Sequence, residues 1–168
     1  MSDLAGYSRE NLMSLFDYDP LTGIVTRRTA RSNRPAGEVV GSIDGKGYPH
    51  VSVGKRFIRL HRLAWFMYFG TLPAALDHIN GDRRDNRLTN LRPCNQHQNS
   101  GNTGLSRHNT SGVKGVSYNN RTHFWHAQIK INGKQTYLGR FTTKDEAALA
   151  YDTAAIRHFG PFARINHA

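Results

Sequence analysis

The stretch Asp77-His78-Ile79-Asn80-Gly81-Asp82-Arg83-Arg84-Asp85-Asn86-Arg87-Leu88-Thr89-Asn90-Leu91-Arg92, with Asn99 just beyond it, carries the reactive side chains of this chain. Asp77 offers a carboxylate suited to a hard cation. His78 is an adjacent imidazole, and Asn99 is a second, neutral oxygen ligand on a short predicted helix. Hydrolysis of a phosphodiester bond needs a base that activates water, a counter-charge for the crowded phosphate and help for the leaving oxygen. One divalent ion held by oxygen ligands supplies the last two. An unperturbed imidazole titrates near pH ~6.5 and can take the proton near neutrality. Neighbours on a strand point to opposite faces, so Asp77 and His78 share a site only if the chain bends or the loop wraps around.

Three other readings of these residues compete. A calcium loop counted from Asp77 would need Gly at its sixth position and Glu at its twelfth; Asp82 and Leu88 stand there. A structural zinc site from His61, His78 and His97 fits no common ligand spacing. An Asp-His pair can also simply make turn hydrogen bonds. Arg83, Arg84, Arg87 and Arg92 are read either as phosphate clamps or as solvated loop charge, and His61 either as a structural histidine or as a phosphate contact.

The elements that position these residues follow from pattern and punctuation. Ser8 caps a short helix running to about Phe16, and Asp19–Gly23 is a turn. Alternating runs at Ile24–Thr26, Val39–Ile43, Tyr48–Val53 and Phe57–Leu60, parted by Asp44-Gly45-Lys46-Gly47 and Gly54-Lys55, predict one small antiparallel sheet. Its outward Arg27, Arg28, Arg31, Arg34, Lys46, Lys55 and Arg56 are read either as tracking phosphates or as a solvated polar face. His61–Phe69 predicts a helix stopped by Gly70. Ala74–His78 and Leu91–Cys94 predict strands around the polar loop. Asn95 with Gln98 has the spacing of a capping box and opens a helix through about Gly101.

Asn102–Gly112 is rich in Ser, Thr, Asn and Gly and reads as a linker. Beyond it, Val113–Tyr118, Phe124–Ile131 and Gln135–Phe141 predict three strands. Thr143 and Glu146 predict the capped start of a helix with Ala147, Ala150, Tyr151, Ala154, Ala155 and Phe159 facing inward. Trp125 is read as core or platform rather than as an intercalator.

The chain has 168 residues, with 23 Lys and Arg against 12 Asp and Glu, a net charge of +11 and a pI near 10.3. The excess is spread along it. Residues 1–76 hold ten basic and six acidic side chains, 77–111 five and three, and 112–168 eight and three. A basic face on each module suits a protein laid along a nucleic-acid duplex. Cys94 is the only cysteine, which excludes an intramolecular disulfide and a cysteine-based zinc site and favours a reducing cytoplasm. Met1–Gly6 lacks the basic and apolar regions of a secretory signal, and the apolar run at Leu63–Phe69 is far too short to span a membrane.

Asp77-His78, Asn90 and Asn99, with the upstream His61-Arg62-Leu63 and Phe69-Gly70 and the downstream Asn90-Leu91-Arg92, resemble the phage-type HNH homing endonucleases over residues 10–102. The resemblance implies a ββα-metal finger at about 74–102. In it His78 is the general base, Asp77 and Asn99 hold one divalent ion (Mg²⁺, with Mn²⁺ a substitute), and Asn90 pins the loop. His97 is the runner-up ligand, because the third motif position is often His in relatives. The implied products are a 5′-phosphate and a 3′-hydroxyl.

Gly112–Val116, Trp125–Ile129, Tyr137–Phe141, Glu146–Ala148, Ala150–Asp152 and Gly160 resemble the AP2 domain, known from plant transcription factors and from phage HNH nucleases. That resemblance implies that the sheet enters the major groove. The matching contact positions are Lys114, Ser117, Asn119, Gln128, Lys130, Gln135 and Tyr137, with Arg121 in a loosely aligned turn. Gln and Asn suit adenine edges, and Lys suits guanine or phosphate.

The expectation is an α+β protein: a nuclease domain over 1–102, a linker at 103–111 and an AP2-like domain over 112–168. It would cut double-stranded DNA as a cytoplasmic monomer (in the host cytoplasm if phage-encoded), with Arg83 and Arg84 among the DNA contacts. The alternatives are a non-catalytic DNA-binding regulator on a nuclease-like fold and, less favoured, a nuclease acting on RNA.

Overall fold

A computed structural model describes residues 4–167; the reading of Met1–Asp3 as no part of a secretory signal lies outside them. The fold is α+β, built from small antiparallel sheets, and divides into two compact units at Cys94/Asn95.

In the first unit, helix α1 (Arg9–Leu15) starts where Ser8 Oγ accepts the Asn11 N–H at 3.1 Å. The chain then enters β1 (Phe16–Tyr18), which pairs antiparallel with β2 (Val25–Arg27). Strand β1 is a correction to the expected helix end. Three residues are too few to show a period, and their strand geometry comes from the pairing with β2. The Asp19 carboxylate closes the turn by accepting from Leu21 N–H and Thr22 Oγ1.

A second sheet has the order β3 (Ser42–Ile43), β4 (Pro49–Val53), β5 (Arg56–Arg59). The single expected sheet is therefore two. The run Val39–Ile43 breaks at Gly41: Val39 bridges to Thr26 while Ser42 pairs with His50. Helix α2 (Leu60–Phe69) follows and ends at Gly70 in the left-handed conformation. Leu12, Phe16, Val25, Ile58 and Leu63 form the fully buried centre, each worth about 1.5–3 kcal/mol of transfer from water.

Four of the arginines expected to track phosphates are engaged within the protein. Arg27 and Arg34 pair with Glu38, Arg28 pairs with Asp17, and Arg56 donates to the Ala5 carbonyl. Sequence position alone did not reveal these acceptors. Arg31, Lys46 and Lys55 are exposed.

The first unit closes with the hairpin β6 (Ala75–His78) and β7 (Leu91–Cys94), in which Asp77 lies opposite Arg92 and His78 opposite Leu91. Between them runs the polar loop, ending in a 3-10 turn at Leu88–Asn90.

The second unit opens with α3 (Gln96–Gly101). Both halves of its capping box are present, Gln98 N–H to Asn95 Oδ1 and Asn95 N–H to Gln98 Oε1, each at 2.8 Å. By contacts the second compact unit begins at Asn95, ahead of α3. The His97 ring lies 5.0 Å from that of Phe159, and a methyl on Gly101 would stand 2.6 Å from Phe159 Cγ, so α3 is packed tightly on the C-terminal helix. The expected linker carries turn hydrogen bonds: Asn109 Nδ2 donates to the Val113 carbonyl and Ser111 Oγ to that of Val116.

Strands β8 (Val116–Asn119), β9 (Phe124–Ile131) and β10 (Lys134–Phe141) form an antiparallel sheet in the order β10-β9-β8. Helix α4 (Lys144–Phe159) covers one face, capped by Thr143 and Glu146. Val116, Ala127 and Ile129 meet Ala147, Ala148, Tyr151 and Ala155. The small alanines permit the close approach. Buried Asp152, on the same helix, accepts from the N–H groups of Asn166 and His167 and ties down the chain end. Among the described residues no helix is long and apolar enough to cross a membrane.

Candidate functional site

Asp77 and His78, at the end of β6, and Asn90, just before β7, are each buried, at 6%, 4% and 6% exposure. Arg92, across the ladder from Asp77, donates from Nη2 (2.8 Å) and Nε (3.0 Å) to Asp77 Oδ2. Asn90 ties both ends of the loop together. Its Oδ1 accepts the Asn80 N–H at 3.0 Å, its Nδ2 donates to the Asp85 carbonyl at 2.8 Å, and its own carbonyl accepts the Ile79 N–H at 2.9 Å. Asp85 gathers Asn80 Nδ2 and the Arg87 guanidinium. The Arg87 hydrogen bonds hold its carboxyl down at about 2.

The His78 ring is enclosed by polar and aromatic neighbours. Nε2 lies 3.2 Å from Asn86 Oδ1, the His61 ring meets it edge-on at 5.1 Å, and the Tyr48 ring is 6.1 Å away. Burial lowers the His78 pKa from its usual range, against the Asn86 hydrogen bond and the Asp77 charge. The imidazole is therefore neutral near pH 7, as a base must be. Burial drives buried His61 further, to about 3. That supports the structural reading of His61 over a phosphate contact, since a neutral buried ring offers a phosphate no charge. Two arginines stack on Tyr48: Arg59 at 4.3 Å, also paired with Asp44, and Arg83 at 4.8 Å, which also donates to the Lys46 carbonyl. Arg84 is exposed on the same loop.

Asn99 is half-buried on α3, in the second unit. His97, two residues earlier, is turned to the His158 carbonyl at 3.2 Å and to Phe159. Among the described residues no three His, Cys, Asp or Glu side chains cluster for a metal. Asp77, the candidate donor of the first unit, offers a carboxylate oxygen of the kind a hard ion takes.

In the second unit the sheet face turned away from α4 carries Ser117, Asn119, Gln128, Lys130, Gln135 and Tyr137. Gln128 stands opposite Tyr137 and Lys130 opposite Gln135. Asn119 Oδ1 is engaged in its own turn, accepting from Arg121 and Thr122 N–H. Arg121 is exposed. Lys114 is the exception. Its ammonium donates to the Gly101 carbonyl at 2.8 Å and the Arg164 carbonyl at 3.3 Å, and burial lowers its pKa to about 8. It holds the unit together and does not project from the face.

Reading the sequence missed His126 and Arg140 on this face, and Asn86 and Tyr48 in the first unit. Arg140 stays outward because the register shifts between Tyr137 and Gly139, which restores alternation after two inward positions; its guanidinium lies 5.0 Å over the Phe124 ring. That bulge has no local signature beyond Gly139.

The HNH endonuclease family model matches residues 59–100, spanning α2, the hairpin and α3. Over 108 residues the chain is 32% identical to Protein 3.8 of Escherichia phage T7, covering 63% of this chain and 88% of that protein. The chain belongs to the HNH endonuclease family. An uncharacterised HNH endonuclease of Acanthamoeba polyphaga mimivirus is 33% identical over 123 residues, 71% of this chain and 63% of that protein. APETALA2-like protein 2 of Oryza sativa subsp. indica is 47% identical over 60 residues, 36% of this chain and 14% of that protein.

Proposed function

We propose that the chain is a metal-dependent endonuclease that hydrolyses double-stranded DNA, leaving a 5′-phosphate and a 3′-hydroxyl, with His78 as general base. The observation that carries this reading is the buried His78 ring, held through Nε2 by Asn86 in a loop pinned by Asn90. His78 takes the proton of the attacking water. Arg83 and Arg84, on the exposed side of the same loop, bind flanking phosphates. Asp77 and Asn99 would hold one Mg²⁺, which when bound neutralises the phosphate and supports the leaving oxygen. The support for Asn99 is its position within the stretch that the family model matches.

The second unit acts as an AP2-like reader, with Ser117, Asn119, Arg121, Gln128, Lys130, Gln135 and Tyr137 toward the major groove. The likeness to the plant protein over 60 residues supports this. Two modest DNA-binding modules on one chain raise each other's local concentration, so together they bind tightly. One active site per chain cuts one strand per engagement, so a monomer nicks.

The Asp77–Arg92 pair favours a second reading, a DNA-binding regulator whose would-be ligand is neutralised internally. Incubation of supercoiled plasmid with the full chain separates the two. The nuclease reading expects relaxed circles with Mg²⁺ and none with EDTA, and the regulator reading expects retardation without relaxation in both.

A further inference from the structure

Asn86 is among the most buried polar residues of the first unit, at 2% exposure, although it sits in a loop of charged side chains. Its amide orientation is fixed from both sides. Nδ2 donates to the Arg84 carbonyl at 3.3 Å, which turns Oδ1 to His78 Nε2 at 3.2 Å. An amide oxygen only accepts, so Nε2 must carry the proton, and neutral His78 keeps its lone pair on Nδ1. Asn86 therefore selects which ring nitrogen can act as base.

The backbone of Asn86 is held in turn by the β1–β2 hairpin. Tyr18 Oη donates to the Asn86 carbonyl at 2.8 Å, and Leu88 N–H donates to the Pro20 carbonyl at 3.0 Å. Gly23 lies against the same peptide, where an added methyl would meet Asn86 C at 2.6 Å and Arg87 N at 2.5 Å. The hairpin touches the loop through backbone, so its grip depends little on loop side chains.

We propose that Asn86 is a positioning residue for His78, fixing its tautomer and ring plane, and that the turn between β1 and β2 is the brace that holds Asn86 in place. This rests on His78 being the general base. Losing the acceptor leaves a buried ring N–H unsatisfied and frees the imidazole to adopt the unproductive tautomer.

The test uses the full chain with Mg²⁺ and a labelled duplex, comparing wild type with Asn86→Leu (similar volume, no acceptor), Asn86→Asp (acceptor kept), Tyr18→Phe and His78→Ala. Asn86→Leu is expected to lower kcat about 10- to 100-fold, with KM and DNA affinity in EDTA unchanged. Asn86→Asp is expected to recover most of that loss, and Tyr18→Phe to lower kcat by less than Asn86→Leu does. Nitrogen-15 ring shifts of His78 in the metal-free wild type are expected to show Nε2 protonated. Full kcat in Asn86→Leu beside an inactive His78→Ala overturns the positioning role and leaves the base intact. Wild-type cleavage by His78→Ala overturns the base reading itself. Full kcat in Tyr18→Phe removes the brace. If Asn86→Leu does not fold, the wild-type spectrum decides, and an Nδ1-protonated ring overturns the proposal.

Discussion

The Arg92 guanidinium grips the Asp77 carboxylate across the β6–β7 ladder through two nitrogens on one oxygen, Oδ2. The pair is largely buried, with side-chain exposures of 18% and 7%. Arg92→Ala leaves the carboxylate short of two charge-assisted hydrogen bonds, each worth about 1.5–3 kcal/mol. The first unit is expected to lose about 3 kcal/mol in denaturant unfolding, and millimolar Mg²⁺ is expected to restore more stability to this variant than to wild type. An equal Mg²⁺ effect on both would mean that Asp77 is not a ligand.

Gly23 combines a φ of +75° with the Asn86–Arg87 backbone pressed against the place of its missing Cβ. Gly23→Ala must therefore strain its own conformation and push the Asn86–Arg87 peptide away. A loss of about 2 kcal/mol or more in stability is expected together with slower cleavage, since Asn86 moves with its backbone. Unfolding curves and single-turnover rates check both; a stable, fast variant would show that the turn does not restrain the loop.

Burial holds His61 at about 3, and its Nδ1 has no hydrogen-bond partner. A histidine depressed in the fold takes its proton first in the unfolded chain. Its contribution to stability is thus complete above pH ~6.5 and falls as pH drops from there toward 3. His78, also lowered, acts in the same direction. His61→Phe is expected to flatten the decline in unfolding midpoint between pH 7 and pH 5, before most carboxylates titrate. The same slope in variant and wild type would contradict the burial argument.

On the sheet face, Lys130 and Arg140 supply charge while Gln128 supplies both donor and acceptor. Lys130→Ala and Arg140→Ala are expected to weaken binding to all duplexes alike and to reduce the salt slope of log K by about one each. Gln128→Ala is expected to change sequence preference, by about 1–3 kcal/mol at one base pair. Lys114→Met is expected to affect stability more than DNA affinity, because its ammonium is bound to carbonyls of its own unit. Titrations across salt concentrations and a random duplex library measure these effects.

Where a signal sits within three or four residues, the sequence shows the element. The Ser8 cap and the Asn95–Gln98 and Thr143–Glu146 boxes all form. The same holds for the order strand, loop, strand, helix around Asp77 and Asn99. What the sequence hid depends on partners distant along the chain. β1 exists through β2, Arg27 turns to Glu38, and Lys114 turns to Gly101 and Arg164. Asn86 looked like one more polar loop residue. Its partners at His78 and Tyr18 are assembled only by the folded hairpin, and no periodicity or spacing encodes that.

The most direct test of His78 as the base is single-turnover cleavage of a labelled duplex by wild type and His78→Ala at saturating protein, with DNA affinity measured in parallel in EDTA. A fall in rate of at least about 100-fold at unchanged affinity is the expected result. Cleavage at the wild-type rate by His78→Ala would contradict it.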